Sequence, residues 1–241
     1  MAGNFCLVLT CTIDVRGVAF MERTGIDDRF NDYVQAFKFW LNDQEVKNII
    51  FVENSGYDLQ AFREIAVKAK SKKVEFVSFD GQHFDRSLGK GYGEMLALRQ
   101  VLTESELLKS VGRFIKVNGR YYVPDLYKLT ELWHESPEVI CDFTKNLTWS
   151  DSRVFGGTRS FLENFLLPEL MKVNDTTGRY FEHALAFAAH STIAAGGSWE
   201  LCPPVPIIGI SGTDNAVYKR SKIKENLRLV LYKVKKYLLA R

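Results

Sequence analysis

The sequence predicts an α/β fold: a mainly parallel sheet flanked by helices, closed by a basic amphipathic helix at the C-terminus. Two observations predict it. Through the first half, short apolar runs alternate with segments of helical period, the βαβαβ pattern of parallel strands under covering helices. Each apolar run also stops at a short polar or glycine-bearing turn, as strands buried on both faces do.

Taken in order, residues 4–10 fit a buried opening strand, followed by the polar segment Thr10–Asp14 and a loop through Gly25. Phe30, Tyr33, Val34, Phe37 and Leu41 recur at helical spacing, with Asp27 and Asp28 near the positive end of the helix dipole. Lys47–Val52 is the second strand, ended by Glu53-Asn-Ser-Gly56, and Tyr57–Lys70 the second helix. Val74–Phe79 is the third strand, ended by Asp80-Gly81; Gly91–Leu108 is the third helix and Arg113–Val117 the fourth strand. Beyond Pro124 the pattern loosens. Short strands are expected at Val139–Asp142, Arg153–Phe155 and Ile207–Gly212, helices at Arg159–Met171 and Gly178–His190, and a Gly/Pro-rich loop at Gly196–Pro206.

A length of 241 residues suits one domain, at ~100–200 residues per domain. It divides into continuous halves at 1–125 and 126–218, then the helix at 219–241. The four cysteines (Cys6, Cys11, Cys141, Cys202) form no CxxC pair or Cys/His cluster, so free thiols in a reducing compartment are expected. His83, His134 and His190 have no metal-ligand spacing. No basic-then-apolar leader opens the chain, and no apolar run reaches the ~18 residues of a membrane span. A soluble, cytoplasmic protein is expected. The net charge of +3 conceals an asymmetry: from Lys219 onward nine basic residues face one acid, a net +8, which leaves −5 for the rest. That excludes a generally basic nucleic-acid binder.

The most informative segment is Phe114-Ile-Lys-Val-Asn-Gly-Arg-Tyr-Tyr-Val123. It reads as a strand broken at Asn118-Gly119, with Lys116 and Arg120 on the same side. Two cations at a strand end suit a diphosphate that must be held and then leave. The plainer reading is a β-hairpin with incidental surface charges. A second segment, Leu88-Gly-Lys-Gly-Tyr-Gly-Glu94, flanks Lys90 with glycines at a helix start, where free N–H groups and the dipole would attract phosphate or a carboxylate. It has neither the spacing of a P-loop nor that of a dinucleotide fingerprint. The plainer reading there is a flexible loop capping a helix.

Four features carry a resemblance: the Thr10-Cys-Thr12 turn, the Val52-Glu-Asn-Ser55 strand end, the Gly89–Glu94 helix start, and Lys116-Val-Asn-Gly-Arg-Tyr121. Together they resemble small GT-A-type glycosyltransferases of surface-polysaccharide (capsule- or LPS-type) gene clusters, which often carry Lys-x-x-Gly-Arg-Tyr. The resemblance covers the first half well and the second loosely. It implies a GT-A-like (Rossmann-like) fold and a nucleotide-sugar donor. In the wider class, the strand matching Phe114–Val117 ends in Asp-x-Asp holding Mn²⁺ or Mg²⁺. Here no carboxylate stands at that place, so no metal and no resident cofactor are expected; cations would neutralise the departing phosphate.

The expected donor site comprises Thr10, Thr12, Asp14, Glu53, Asn54, Asp80, Lys90, Lys116, Asn118 and Arg120, at the strand ends where such sheets bind ligands. Lys116 and Arg120 also serve the leaving group. Three candidates for the acceptor base are Glu182 and His183, on a mostly apolar helix, and Asp151, beside Arg153 in a loop; Glu182 or Asp151 is the expected base. The acceptor is a glycan or a lipid-linked sugar. Ile223, Leu227, Val230, Leu231, Val234 and Leu238 form an apolar stripe among basic residues, which either closes the domain or seats it on an anionic membrane. The expected activity is glycosyl transfer. A sugar nucleotidyltransferase and a non-catalytic nucleotide- or glycan-binding protein are the alternatives.

Overall fold

The computed structural model describes residues 4–18 and 21–239; Arg241 of the basic tail lies outside them. The first half runs β1 (Cys6–Cys11), α1 (Ile26–Asn42), β2 (Asn48–Glu53), α2 (Gln60–Val67), β3 (Lys73–Ser78), α3 (Lys90–Glu104), α4 (Glu106–Val111), β4 (Arg113–Asn118) and β5 (Tyr121–Tyr122). The second half adds α5 (Tyr127–Thr130), β6 (Val139–Cys141), β7 (Val154–Thr158), α6 (Arg159–Phe161), α7 (Phe181–Ala194), β8 (Trp199–Leu201), β9 (Ile208–Ile210), β10 (Val217–Tyr218) and α8 (Lys222–Leu239).

Seven strands form one sheet in the order β3-β2-β1-β4-β7-β6-β8, and β10-β9-β5 form a second. β1, β2, β3 and β4 run parallel in register, Cys6 opposite both Asn48 and Phe114. β7 alone runs against its neighbours β4 and β6. Every residue of β1 and β2 is buried, because helices cover both faces. Cys6, Val8, Ile50 and Val52 pack with α3, α4 and α7 residues. Leu7, Leu9, Ile49 and Phe51 pack with α1 and α2 on the other face, as the two-residue period of a strand requires. The four cysteines are free thiols, and burial pushes Cys6 and Cys141 up to about 12.

Four expectations change. The expected single helix at 91–108 is two. Ser105 adopts an extended ψ of 116° and its Oγ accepts from Leu108 N, while Glu75 accepts the N–H groups of Glu106 and Leu107. The expected helix at 159–171 continues past α6 as a π turn (Leu162–Leu166) and a 3₁₀ segment (Leu167–Lys172), because Pro168 has no N–H to extend an α ladder. The expected loop at 196–206 contains β8, an edge strand too short to show a period. The hairpin reading of 114–123 fails: β4 pairs with β1 and β7, whereas β5 joins β9 in the small sheet.

Candidate functional site

A cavity of about 760 Å³ opens beyond the carboxyl ends of β1, β2 and β4, the ligand crevice of open α/β sheets. Thr10, Thr12, Asn54, Lys90, Lys116, Asn118, Arg120, Asp151 and Glu182 line it, and Asp14, Glu53 and Asp80 do not. Those three hold the loops together. The buried Glu53 carboxylate accepts from the N–H groups of Ile13 (3.1 Å), Ser55 (2.9 Å) and Tyr57 (2.9 Å), so it tethers two strand ends and cannot also read a base. Burial pushes its pKa up against those hydrogen bonds. Asp14 and Asp80 share Arg16 at 3.1 and 3.0 Å on the exposed side.

Gly119 lets the chain turn closely past β1. Its N–H donates to Thr10 O at 2.8 Å, and a Cβ there would stand 2.9 Å from that oxygen. Lys116, just before, is fully buried. Its Nζ meets Glu94 Oε1 at 2.5 Å and donates to Ser152 O at 2.6 Å. Thr10 Oγ1 donates to the same Glu94 oxygen at 2.7 Å, and Ser152 Oγ to Glu182 Oε1 at 2.8 Å. The lysine charge is therefore neutralised inside the cavity floor.

Arg120 differs. It is 5% exposed, flanked by the rings of Tyr33 and Tyr121 at 5.8 and 6.0 Å. Gly212 leaves room for it, since a Cβ there would come within 2.4 Å of Nη2. Nε and Nη1 have no hydrogen-bond partner. Arg29 of α1, 1% exposed, faces the same cavity. It donates to Thr12 O (2.8 Å), Arg23 O (3.0 Å) and the Tyr33 hydroxyl (3.2 Å). Burial pulls Arg29 below the ordinary arginine value, and the nearby Arg120 charge adds to that. Neither arginine makes an ion pair among the described residues. A buried guanidinium without a counter-charge is costly in isolation, so the chemistry of this corner suits an anion.

The glycine-flanked helix start is already occupied. Gly91 N donates to Asp175 Oδ2 at 3.3 Å. Gly89 sits at φ +84°, where a Cβ would overlap the Asp175 carboxylate. A carboxylate, not phosphate, thus fills that N-terminus. Lys90 reaches across to the Thr213 hydroxyl.

The far wall is acidic: Asp142, Asp151 and Glu182 line it. Burial would raise Asp151, but the side-chain and backbone hydrogen bonds and the charge of Arg153 outweigh it and hold the group below the usual carboxylate value. Burial pushes Asp142 up, opposed by the Asp151 N–H at 2.7 Å. Tyr180 is shared with a second cavity of about 420 Å³, bordered by Arg179, His183, Phe187 and His190. Across it, Asn146 and Leu147, preceded by Lys145, take positive φ (48° at Lys145, then 56° and 66°), a backbone that Asn tolerates and that is costly for Lys and Leu.

The sequence reading missed Arg29, Glu94, Asp142 and Asp175. Arg29 had a signal: it shares a helix face with Tyr33, Phe37 and Trp40, all buried. Glu94 closed a motif already singled out, and Asp142 ended an expected strand. Asp175 had none. The end of β4 offers Asn118 and Arg120, which do not fit a divalent cation, and no group of three or more His, Cys, Asp or Glu that could hold one exists among the described residues.

No protein-family model matches the chain, and no curated protein matches it in sequence. Among solved structures it is similar to the inositol-1-phosphate CTP transferase from T. maritima (14% identity, 97% of each chain, TM-score 0.48). It is also similar to the mannosyltransferase PcManGT from Pyrobaculum calidifontis in complex with GDP-Man and Mn²⁺ (12% identity, 100% of this chain and 64% of that one, TM-score 0.48). Against the apo structure of the bifunctional glycosyltransferase WbbM, identity is 12% and the TM-score 0.51, over 98% of this chain and 45% of that one. The likeness to WbbM is one of fold: the chain has the GT-A-like, mainly parallel α/β architecture that its sequence predicted.

Proposed function

We propose that the protein is a glycosyltransferase moving a sugar from a nucleotide-sugar donor to a glycan or lipid-linked acceptor of a surface polysaccharide, at the cytoplasmic face of a membrane and without a metal ion. The observation that carries this is the pair of buried arginines, Arg29 and Arg120, facing the strand-end cavity without a carboxylate partner. A diphosphate supplies the missing negative charge.

Thr10, Thr12 and Asn54 offer short polar groups to the nucleoside at the ends of β1 and β2. Arg120 stabilises the charge that grows as the diphosphate leaves. A carboxylate on the far wall, Glu182 or Asp142, takes the acceptor hydroxyl proton. The acceptor oxygen bonds to the anomeric carbon as the bond from that carbon to the diphosphate oxygen breaks. Asp151, held low by Arg153, positions the loop that carries Ser152.

The test is product identity. The protein is incubated with nucleotide-sugars and oligosaccharide acceptors, with and without EDTA, and nucleotides are resolved by chromatography. Acceptor-dependent release of nucleoside diphosphate or monophosphate, surviving EDTA, is expected. Pyrophosphate release from a nucleoside triphosphate and a sugar phosphate would instead identify a nucleotidyltransferase. Binding without turnover would identify an accessory protein.

A further inference from the structure

We infer that α8 is a seating surface for an anionic lipid bilayer, with its apolar stripe facing outward. The sequence allowed that stripe to pack inward; it does not. Ile223, Leu227, Val230, Leu231, Val234 and Leu238 are each between 52% and 83% exposed, and no residue of α8 is buried. The helix meets the body through its polar side: Lys235 donates to Phe143 O, and Lys236 lies 3.5 Å from Glu200. Just before it, Arg220 pairs with Asp125 and Glu225 at 3.0 and 3.2 Å.

At 100° per residue, Lys224 and Lys233 fall on opposite borders of the stripe. Neither makes an ion pair among the described residues. An outward apolar stripe bordered by free lysines matches the acyl and headgroup layers of an anionic leaflet. A second copy fits worse, because pairing two such helices brings two +8 segments together. No helix among the described residues is long and apolar enough to cross a membrane, so α8 lies on the surface. Arg228, Leu231 at one edge of the stripe, Tyr232 and Lys235 also border the main cavity, so a seated α8 sets the cavity mouth beside the lipid. The link to a lipid-linked acceptor rests on the transferase reading; the surface does not.

The experiment is co-sedimentation of the full chain, without nucleotide or acceptor, with vesicles of phosphatidylcholine alone or mixed with phosphatidylglycerol. Binding only to the mixed vesicles, weakening with salt, is expected. Lys224→Glu with Lys233→Glu is expected to weaken it at least about thirtyfold, and Leu227→Ser with Val234→Ser to abolish it. Circular dichroism and melting temperature check that both variants fold. Equal binding to neutral vesicles, indifference to salt and to these substitutions, or a dimer lost on Leu227→Ser without vesicle binding would each overturn the inference.

Discussion

Lys116 Nζ and Glu94 Oε1 lie 2.5 Å apart beneath the cavity, and this contact makes the lysine part of the floor. Lys116→Ala leaves the partly buried Glu94 carboxylate without its cation and is expected to cost about 3 kcal/mol of stability, the low end for a broken buried pair. Pairing Lys116→Met with Glu94→Gln removes both charges and is expected to recover most of that. Urea unfolding of the two variants checks it. Equal stability of Lys116→Ala and the wild type would show that the pair carries no structural weight.

Arg120→Ala breaks no ion pair, so its effect is expected on ligand rather than on fold. Removing one preorganised donor lowers turnover by ~10²–10³. A nucleoside diphosphate at ~100 times its Kd stabilises the wild type by about 2.7 kcal/mol, and Arg120→Ala is expected to abolish that gain in a thermal-shift assay. An unchanged gain would remove the diphosphate from this corner.

The two aspartates of the far wall predict opposite pH behaviour. Asp142 is pushed up by burial and Asp151 is held down by Arg153. A base at Asp142 places the acid limb of kcat/KM above the ordinary ~3.9 of aspartate, and Asp142→Asn removes the limb. If Glu182 is the base, Glu182→Gln abolishes turnover and Asp142→Asn leaves it largely intact. For stability the signs also differ. Asp151 contributes above its unfolded value, a contribution lost as pH falls through the lowered folded one. Asp142, Asp175 and Glu53, all raised first by burial, bind protons more tightly when folded. Their destabilisation grows as pH rises from about 4 through their raised values. Asp142→Asn is expected to flatten that decline in the urea midpoint.

Tyr180 walls both cavities, beside Trp149 and His183 at 5.7 Å each. In the proposed reaction an acceptor entering from the second cavity would meet this ring on its way to the far wall. Tyr180→Ala is expected to raise the acceptor KM by about 2–10-fold, the worth of an aromatic contact, with donor binding unchanged. Steady-state kinetics at saturating donor separates the two; a loss of donor binding would place the ring on the wrong side.

Much of the fold was legible because β1 to β4 announce themselves as apolar runs between helices. β8 and the break at Ser105 were not, since three-residue strands carry no period and a cap supplied by Glu75 is tertiary. In the site, the strand ends gave the position of the cavity. They could not tell a charge offered to a ligand from one already paired. Lys116 and Arg120 look alike in sequence; only the approach of Glu94 from α3 separates them. Glu53 looked like a reader of a base for the same reason, before three backbone amides claimed it.

The chain leaves the large sheet at Asn118 and enters the small one at Tyr121, so Arg120 stands on the seam between two separately hydrogen-bonded bodies. Gly212, between β9 and β10, abuts its guanidinium, and the neighbouring Thr213 meets Lys90 of α3. An anion received at that seam is a fastener: it ties the small sheet to the large one. Occupancy should then be visible far from the ligand, as slower amide exchange in β9 and β10, and the empty protein should open first along this line.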